Sequence, residues 1–274
     1  MPSNSNRYQI RAVERALDLL SAFSPSDREL TLTELSSRLA LSTSTTYRIL
    51  VTLESRGYVE HNSQSGGYSL GVACLDLGAV LLAQLELRDR VLPVLEALRE
   101  EYRETVHLGI LDRSRMEVVY LEKLDGLQAI GMMGSRVGGR APAYCTGLGK
   151  CMLAYFPEPD VRDFYTASGL RVRTTNTITD LEAFLGELRE TRNRGYAIDN
   201  VEHEDGVRCV AAPVWNHENV VVGALSVSGP EQRIGQLIGE AHLVDRVRAS
   251  AYEASTRMGY ARRVAVGQGV ADEY

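Results

Sequence analysis

No stretch of the 274 residues approaches the roughly 18 consecutive apolar residues of a membrane-spanning helix. The opening, MPSNSNRYQIRAVERALDLL, has no basic segment followed by an apolar core and a small-residue cleavage site, so no secretion signal is expected. Cysteine is scarce. Cys74, Cys145, Cys151 and Cys209 form no CxxC pair and are too few for a disulfide scaffold, which points to reduced thiols in a cytoplasmic protein. An excess of positive charge is also missing. The formal net charge of −6 argues against a protein built mainly to coat nucleic acid. His107, His203, His217 and Cys209 show neither HxH nor HExxH spacing, and no oxyanion motif stands out. A Cys209–His203 nucleophile pair can be drawn on paper. The expectation is nonetheless no catalytic residue, no metal and no cofactor.

What is present is ordinary globular composition, 44% hydrophobic and 24% charged, in a length that suits about two domains. The first 70 residues balance seven arginines against seven acids, which leaves the rest of the chain acidic. A neutral head on an acidic body permits DNA binding by the head.

Residues 10–23 space Ile10, Val13, Ala16, Leu17 and Leu20 as an amphipathic helix. SPSDRE interrupts it. TLTELSSRLAL predicts a second helix, with Thr33 as N-cap and Leu35 and Leu39 turned inward. A third helix follows, with Tyr47, Ile49, Leu50 and Leu53 as its apolar face and Gly57 just past its end. YVEHNSQSGGYSLG then reads as strand, polar tip and strand. Three helices and a hairpin within residues 8–71 predict a winged helix-turn-helix.

The third helix opens on five consecutive hydroxyls, Ser42, Thr43, Ser44, Thr45 and Thr46. Helix starts leave backbone N–H groups unpaired, and Ser42 suits the capping role. In a helix-turn-helix this end enters the major groove, where short hydroxyls reach phosphates and base edges. Ser42, Thr43, Ser44, Thr45, Tyr47 and Arg48 are the expected DNA contacts, with Arg48 taking a phosphate or a guanine. In the hairpin, Asn62, Gln64, Ser65 and Tyr68 are placed to meet backbone or minor groove. The plainer readings are a solvated Ser/Thr-rich helix start and an ordinary exposed hairpin.

Residues 72–101 predict one or two helices, broken near Leu87–Asp89 so that Pro93 falls in a first turn. The body, 102–258, predicts strands at 105–112, 116–124, 127–133, 208–215 and 219–229. Helices are expected in the second half of AYCTGLGKCMLAYF, at 158–168, at 180–194 and as one long run near 231–257. Antiparallel strands with helices before and after them make an α+β domain. The tail, 259–274, is expected to be mobile.

RALDLLSAFS, LTELSSRLALSTSTTYRILVTLESRGYVE and GGYSLG in the head resemble the IclR family of bacterial transcription regulators. So do GRAPAYCTGLGKCMLA, GYAIDNVEHEDGVRCVAAPV and VVGALSVSGP in the body, in matching order and separation. The resemblance runs from about residue 8 to 257. It implies an N-terminal winged helix-turn-helix, a linker helix over 72–101 and a C-terminal GAF-like domain that binds a small effector. It further implies homodimers or tetramers that bind operator DNA and respond to small carboxylic or aromatic acids, with no membrane partner. The effector positions it implies are Ala141, Gly147, Leu148, Asp199, Cys209, Ser226 and Ser228.

Physical chemistry bears on several of these. TGLG at a helix start offers N–H groups and a positive dipole end to a carboxylate, and Gly147 allows close approach to the backbone. Ser226 and Ser228, two apart on a strand, face one side, and Asp199 can accept from a ligand hydroxyl. Met132, Met133 and Tyr144 suit either a pocket wall or a core. Plain turn chemistry at Gly147, solvent-facing serines and a small core thiol at Cys209 are the alternatives. The function expected is ligand-responsive transcription regulation through allostery. The alternative is a ligand-binding enzyme, or an interaction module that uses its winged fold for protein contacts.

Overall fold

The computed structural model describes residues 10–24, 26–84, 86–126, 133–239 and 242–261, with the backbone alone at 79–84. The chain divides into two compact units, residues 1–84 and 85–274.

In the first unit α1 (Arg11–Ser21) leads through β1 (Leu30–Thr31) into α2 (Leu32–Arg38) and α3 (Thr43–Glu54). The hairpin β2 (Val59–His61) and β3 (Gly67–Leu70) and the helix α4 (Ala73–Gln84) complete it. The sheet order is β1-β3-β2, antiparallel throughout. Leu19, Leu30, Leu35, Leu50, Val59 and Tyr68 form its core. The α2 cap is Thr31, not Thr33. Thr31 Oγ1 accepts the Glu34 N–H at 3.3 Å while Glu34 Oε2 accepts the Thr31 N–H at 2.8 Å, a reciprocal box that satisfies two otherwise orphaned donors. The α1 stripe also differs from expectation. Leu19 is the buried residue, while Ile10, Val13 and Leu17 are exposed. The periodicity is real, but no described residue of this unit buries that face. Tyr47 likewise points out of α3, whereas Leu50 is fully buried.

The second unit starts with α5 (Glu86–Tyr102). Pro93 lies in its middle rather than in a first turn, and Val91, Val94, Leu95 and Leu98 anchor the helix by burial on either side of it. The expected linker is therefore shared between the two units. Strands β4 (Thr105–Asp112) and β5 (Glu117–Leu124) match the reading of the sequence, as do β8 (Val207–Trp215) and β9 (Val221–Pro230). Two short strands went unread: β6 (Arg140–Pro142) and β7 (Ala197–Asn200). The strand expected at 127–133 lies almost wholly outside the described residues, as does most of the tail. The described strands form an antiparallel sheet of order β6-β5-β4-β9-β8-β7.

One face of this sheet packs on α6 (Gly147–Leu153), α7 (Glu158–Ser168) and α8 (Leu181–Arg194). The other packs on α5, α9 (Glu231–Gly239) and α10 (His242–Arg257). The long helix expected near 231–257 is seen as α9 and α10, and the two residues between them lie outside the described residues. Side chains alternate faces along each strand. On β9, Leu225 and Val227 enter the α5/α10 core, which turns Ser226 and Ser228 to the α6 face. On β8, Val210 and Ala212 do the same for Cys209.

Candidate functional site

In the head, Ser42 is the α3 N-cap, its side chain accepting the Thr45 N–H at 3.3 Å. Its hydroxyl also lies 3.2 Å from that of Ser44 and 2.9 Å from that of Thr45. The five hydroxyls divide their labour. Thr46 is fully buried and donates back to the Ser42 carbonyl at 3.2 Å, so it belongs to the core. Ser42, Thr43 and Ser44 are exposed, Thr45 is half-buried, and Tyr47 and Arg48 project outward. No described residue takes the Arg48 side chain as a partner, and no acid lies in the first turn of α3. A helix start with this polarity attracts phosphate.

The wing is shaped by Asn62, whose Oδ1 accepts the N–H groups of Gln64 at 3.0 Å and Ser65 at 3.5 Å. This Asx turn leaves Gln64 exposed at the tip. Tyr68 departs from expectation. It is 6% exposed, sits in the core and packs on the His61 ring at 4.6 Å. Its β3 position turns it toward Leu30 and Leu50, so its ring is structural rather than part of the wing surface.

The second unit holds a cavity of about 410 Å³ between the sheet and α6, within the size range of small-molecule sites. Gly147, Leu148, Asp199, Cys209, Ser226 and Ser228 all lie on its wall. Strand register explains the convergence. Asp199 pairs with Cys209 and Cys209 with Ser228, so three strands contribute one row across the sheet. In the next row Ser226 pairs with His107. Ala141 is not on this wall. It is buried in β6 opposite Val118, inside the apolar core. Met133 lines the cavity, Met132 lies outside the described residues, and Tyr144 is core, its hydroxyl donating to the Arg171 carbonyl at 2.7 Å.

The start of α6 is less open to a carboxylate than its sequence suggests. Thr146 Oγ1 already takes the Gly149 N–H at 3.2 Å, and Gly147 is packed closely against the Cys209 sulfur. A Cβ on Gly147 would stand 2.6 Å from Cys209 Sγ and 3.2 Å from the Ala211 Cβ. Glycine is thus required there by helix-on-strand packing.

Burial governs the titratable groups. It raises the Asp199 carboxyl to about 7, although that carboxylate accepts the Glu202 N–H at 2.7 Å. It lowers His107 to about 3, with the Lys123 charge adding to the effect, and His203 to about 4, with Arg173 adding. Both imidazoles are neutral at physiological pH. His107 lies between Ser135 Oγ at 2.9 Å and Ser228 Oγ at 3.4 Å. His203 meets Cys145 at 3.6 Å rather than Cys209. Burial pushes both the Cys145 and Cys209 thiols up to about 12, so neither is a nucleophilic thiolate. Among the described residues no three His, Cys, Asp or Glu side chains gather as a metal site.

The sequence reading missed His107, Tyr120, Ser135, Arg140, Arg173 and Glu204 on the wall. His107 carried a signal, a polar residue alternating with Val106 and Leu108. Arg173, in a connection between helices, carried none.

A recognition helix whose first turn is free of acids and a polar cavity walled by a sheet define a DNA-binding regulator with a small-molecule domain. Residues 12–63 match the IclR helix-turn-helix domain, and residues 79–256 match the Bacterial transcriptional regulator IclR C-terminal domain. The HTH-type transcriptional regulator XynR of Escherichia coli is 38% identical over 82% of this chain and 88% of its own length. The transcriptional repressor IclR of the same organism is 32% identical over 82% of each. An IclR homologue of Microbacterium hydrocarbonoxydans, crystallised with 4-hydroxybenzoate, is 27% identical, with a TM-score of 0.79 over 90% of this chain and 99% of that one. The chain belongs to the IclR family, whose members are transcription regulators rather than enzymes. No helix among the described residues is long and apolar enough to cross a membrane.

Proposed function

We propose that this regulator acts in the cytoplasm as a homodimer or tetramer whose paired α3 helices read a palindromic operator, under control of a small carboxylic or aromatic acid held in the body. Functionally the chain divides into a DNA-binding segment (8–71), a linker (72–101) and an effector domain (102–258). The observation that carries this reading is the meeting of six expected effector positions on one cavity. The 4-hydroxybenzoate complex of a relative supports an organic acid as the ligand class. The exposed apolar stripe Ile10, Val13 and Leu17, with Val72, Leu75 and Leu77, supports pairing of heads.

Effector binding biases how the linkers space the two heads. Such coupling is typically about 1–3 kcal/mol and shifts operator affinity roughly 5–150-fold. Gel shifts on the DNA upstream of the protein's own gene test the assignment. Arg48→Ala is expected to weaken operator binding roughly tenfold, with an unaltered effector titration. The double variant Ser226→Ala with Ser228→Ala is expected to do the reverse. Unchanged operator affinity in the first, or an unchanged effector titration in the second, removes the corresponding site. Binding should weaken steeply with salt, since phosphate contacts dominate affinity.

A further inference from the structure

Three cationic side chains stand at or beside the cavity, and two are already neutralised. Arg140 holds Asp112 at 2.7 Å and Glu117 at 3.1 Å. Lys123 holds Asp125 at 3.0 Å and donates to the Ser135 carbonyl at 2.9 Å. Arg173 differs. Its guanidinium has no hydrogen bond or ion pair with any described residue, yet it lines the cavity, and its charge is felt at His203 and Cys145.

Its backbone is held firmly. The Arg173 N–H donates to Thr177 Oγ1 at 3.0 Å, and that hydroxyl donates on to the Glu202 carbonyl at 2.7 Å. Buried Thr174 donates to the Val201 carbonyl at 2.6 Å, and Asn176 to the Asn200 carbonyl at 2.9 Å. The α7–α8 connection is thereby tied to the segment after β7, which carries His203 and Glu204 to the same cavity. A fixed backbone removes the cost of ordering the connection, and the exposed Arg173 side chain gives up only its own rotamer freedom when it meets an anion.

The rest of the wall is unsuited to a second anion. Asp199 and Glu204 line it as acids, His107 and His203 are neutral, and Ser226 and Ser228 are buried hydroxyls. Taking the cavity as the effector site proposed above, we infer that Arg173 binds the effector's carboxylate and that the cavity selects monocarboxylates whose far end is a neutral polar group. The hydroxyls of Ser226 and Ser228 and the Asp199 carboxyl receive that far end. The carboxylate stands at Arg173, the cation on the wall that no described side chain neutralises, while at the start of α6 the Gly149 N–H is already taken by Thr146.

Isothermal titration of the full chain with 4-hydroxybenzoate, 3-hydroxybenzoate, pyruvate and glycolate tests this. The tightest binder is repeated as its primary amide and as a dicarboxylate of similar size, on the native chain and on Arg173→Gln and Arg173→Lys. Melting temperature without ligand checks folding. Loss of a charged hydrogen bond predicts roughly ten- to a hundredfold weaker binding in Arg173→Gln and a smaller loss in Arg173→Lys. The amide should bind weakly and be indifferent to the substitution, and the dicarboxylate should bind less well than the monoacid. A monoacid that binds Arg173→Gln within twofold of native, or a dicarboxylate that binds native as tightly, overturns the role of Arg173 and leaves the organic-acid reading standing. If no acid of the set binds the native chain, both fall.

Discussion

The two units bury polar groups in opposite ways. Among the described residues of the head, the buried polar side chains are Ser36 and Thr46, each donating to the carbonyl four residues back, at 2.7 Å and 3.2 Å. Its charges stay outside, as with Arg38, bound to Asp27 at 3.1 Å. The body instead encloses His107, Glu104, Glu122, Lys150, Asp199 and Glu202. Several of these need an opposite charge: Arg233 holds Glu104, and Arg88 holds Glu122 at 2.6 Å. A unit that works through its surface can keep a simple apolar interior. A unit that works through a cavity must carry polar and ionisable groups inside and supply a partner behind them.

The sharpest way to break this contrast is Lys150→Met. Lys150 is 1% exposed and lies 2.5 Å from Glu202 and 3.4 Å from Glu187. Its loss strands Glu202, whose Oε2 already has no partner among the described residues. A fall of about 3–5 kcal/mol in urea unfolding is expected, largely restored by adding Glu202→Leu. A fall below about 1 kcal/mol would show that this buried charge is not structurally demanding.

Asp199 gives the next largest effect, and it depends on pH. Its carboxyl titrates near 7 in the native state against an ordinary 3.8. Between those values the folded protein holds a proton that the unfolded chain has released, so stability drains away as pH rises through that window. Asp199→Asn has no such proton and keeps an oxygen for the Glu202 N–H. Urea midpoints from about pH 5 to 8 should show the variant gaining on native by up to a few kcal/mol. A gap independent of pH would place the carboxyl in ordinary solvent.

Gly147→Ala separates packing from ligand approach. The clash with Cys209 predicts a loss of about 1–3 kcal/mol, mostly recovered in Gly147→Ala with Cys209→Ala. An unchanged melting point with a damaged effector titration would favour ligand approach as the reason for glycine. The smallest effect is expected in the head, where Ser42→Ala removes the α3 cap and costs about 1 kcal/mol. Thermal unfolding monitored alongside operator binding checks it.

Local rules made much of this legible. The hairpin, the cap at Ser42 and the α7 and α8 spans followed from spacing and turn chemistry, and the same-side placement of Ser226 and Ser228 from strand periodicity. The errors came where a pattern has two solutions. Thr31 and Thr33 both stand at the start of the second helix, and only the reciprocal bond with Glu34 selects Thr31 as its cap. The α1 stripe is amphipathic, but periodicity does not say that its partner lies inside the unit. Tyr68 sits in a polar hairpin, yet strand alternation turns it into the core. Short strands such as β6 and β7 have too few residues for alternation to register.

The sequence by itself determined the family, the winged head, the antiparallel body and six of the residues that meet on the body's cavity, because each depends on neighbours a few residues apart or on motifs kept in order. The tertiary structure alone decided which cations remain unpaired around the cavity, which hydroxyl of the run turns inward and why residue 147 has no side chain. Those outcomes depend on distances between residues remote in the chain, such as Arg140 to Asp112 or Gly147 to Cys209, and only folding brings such residues together.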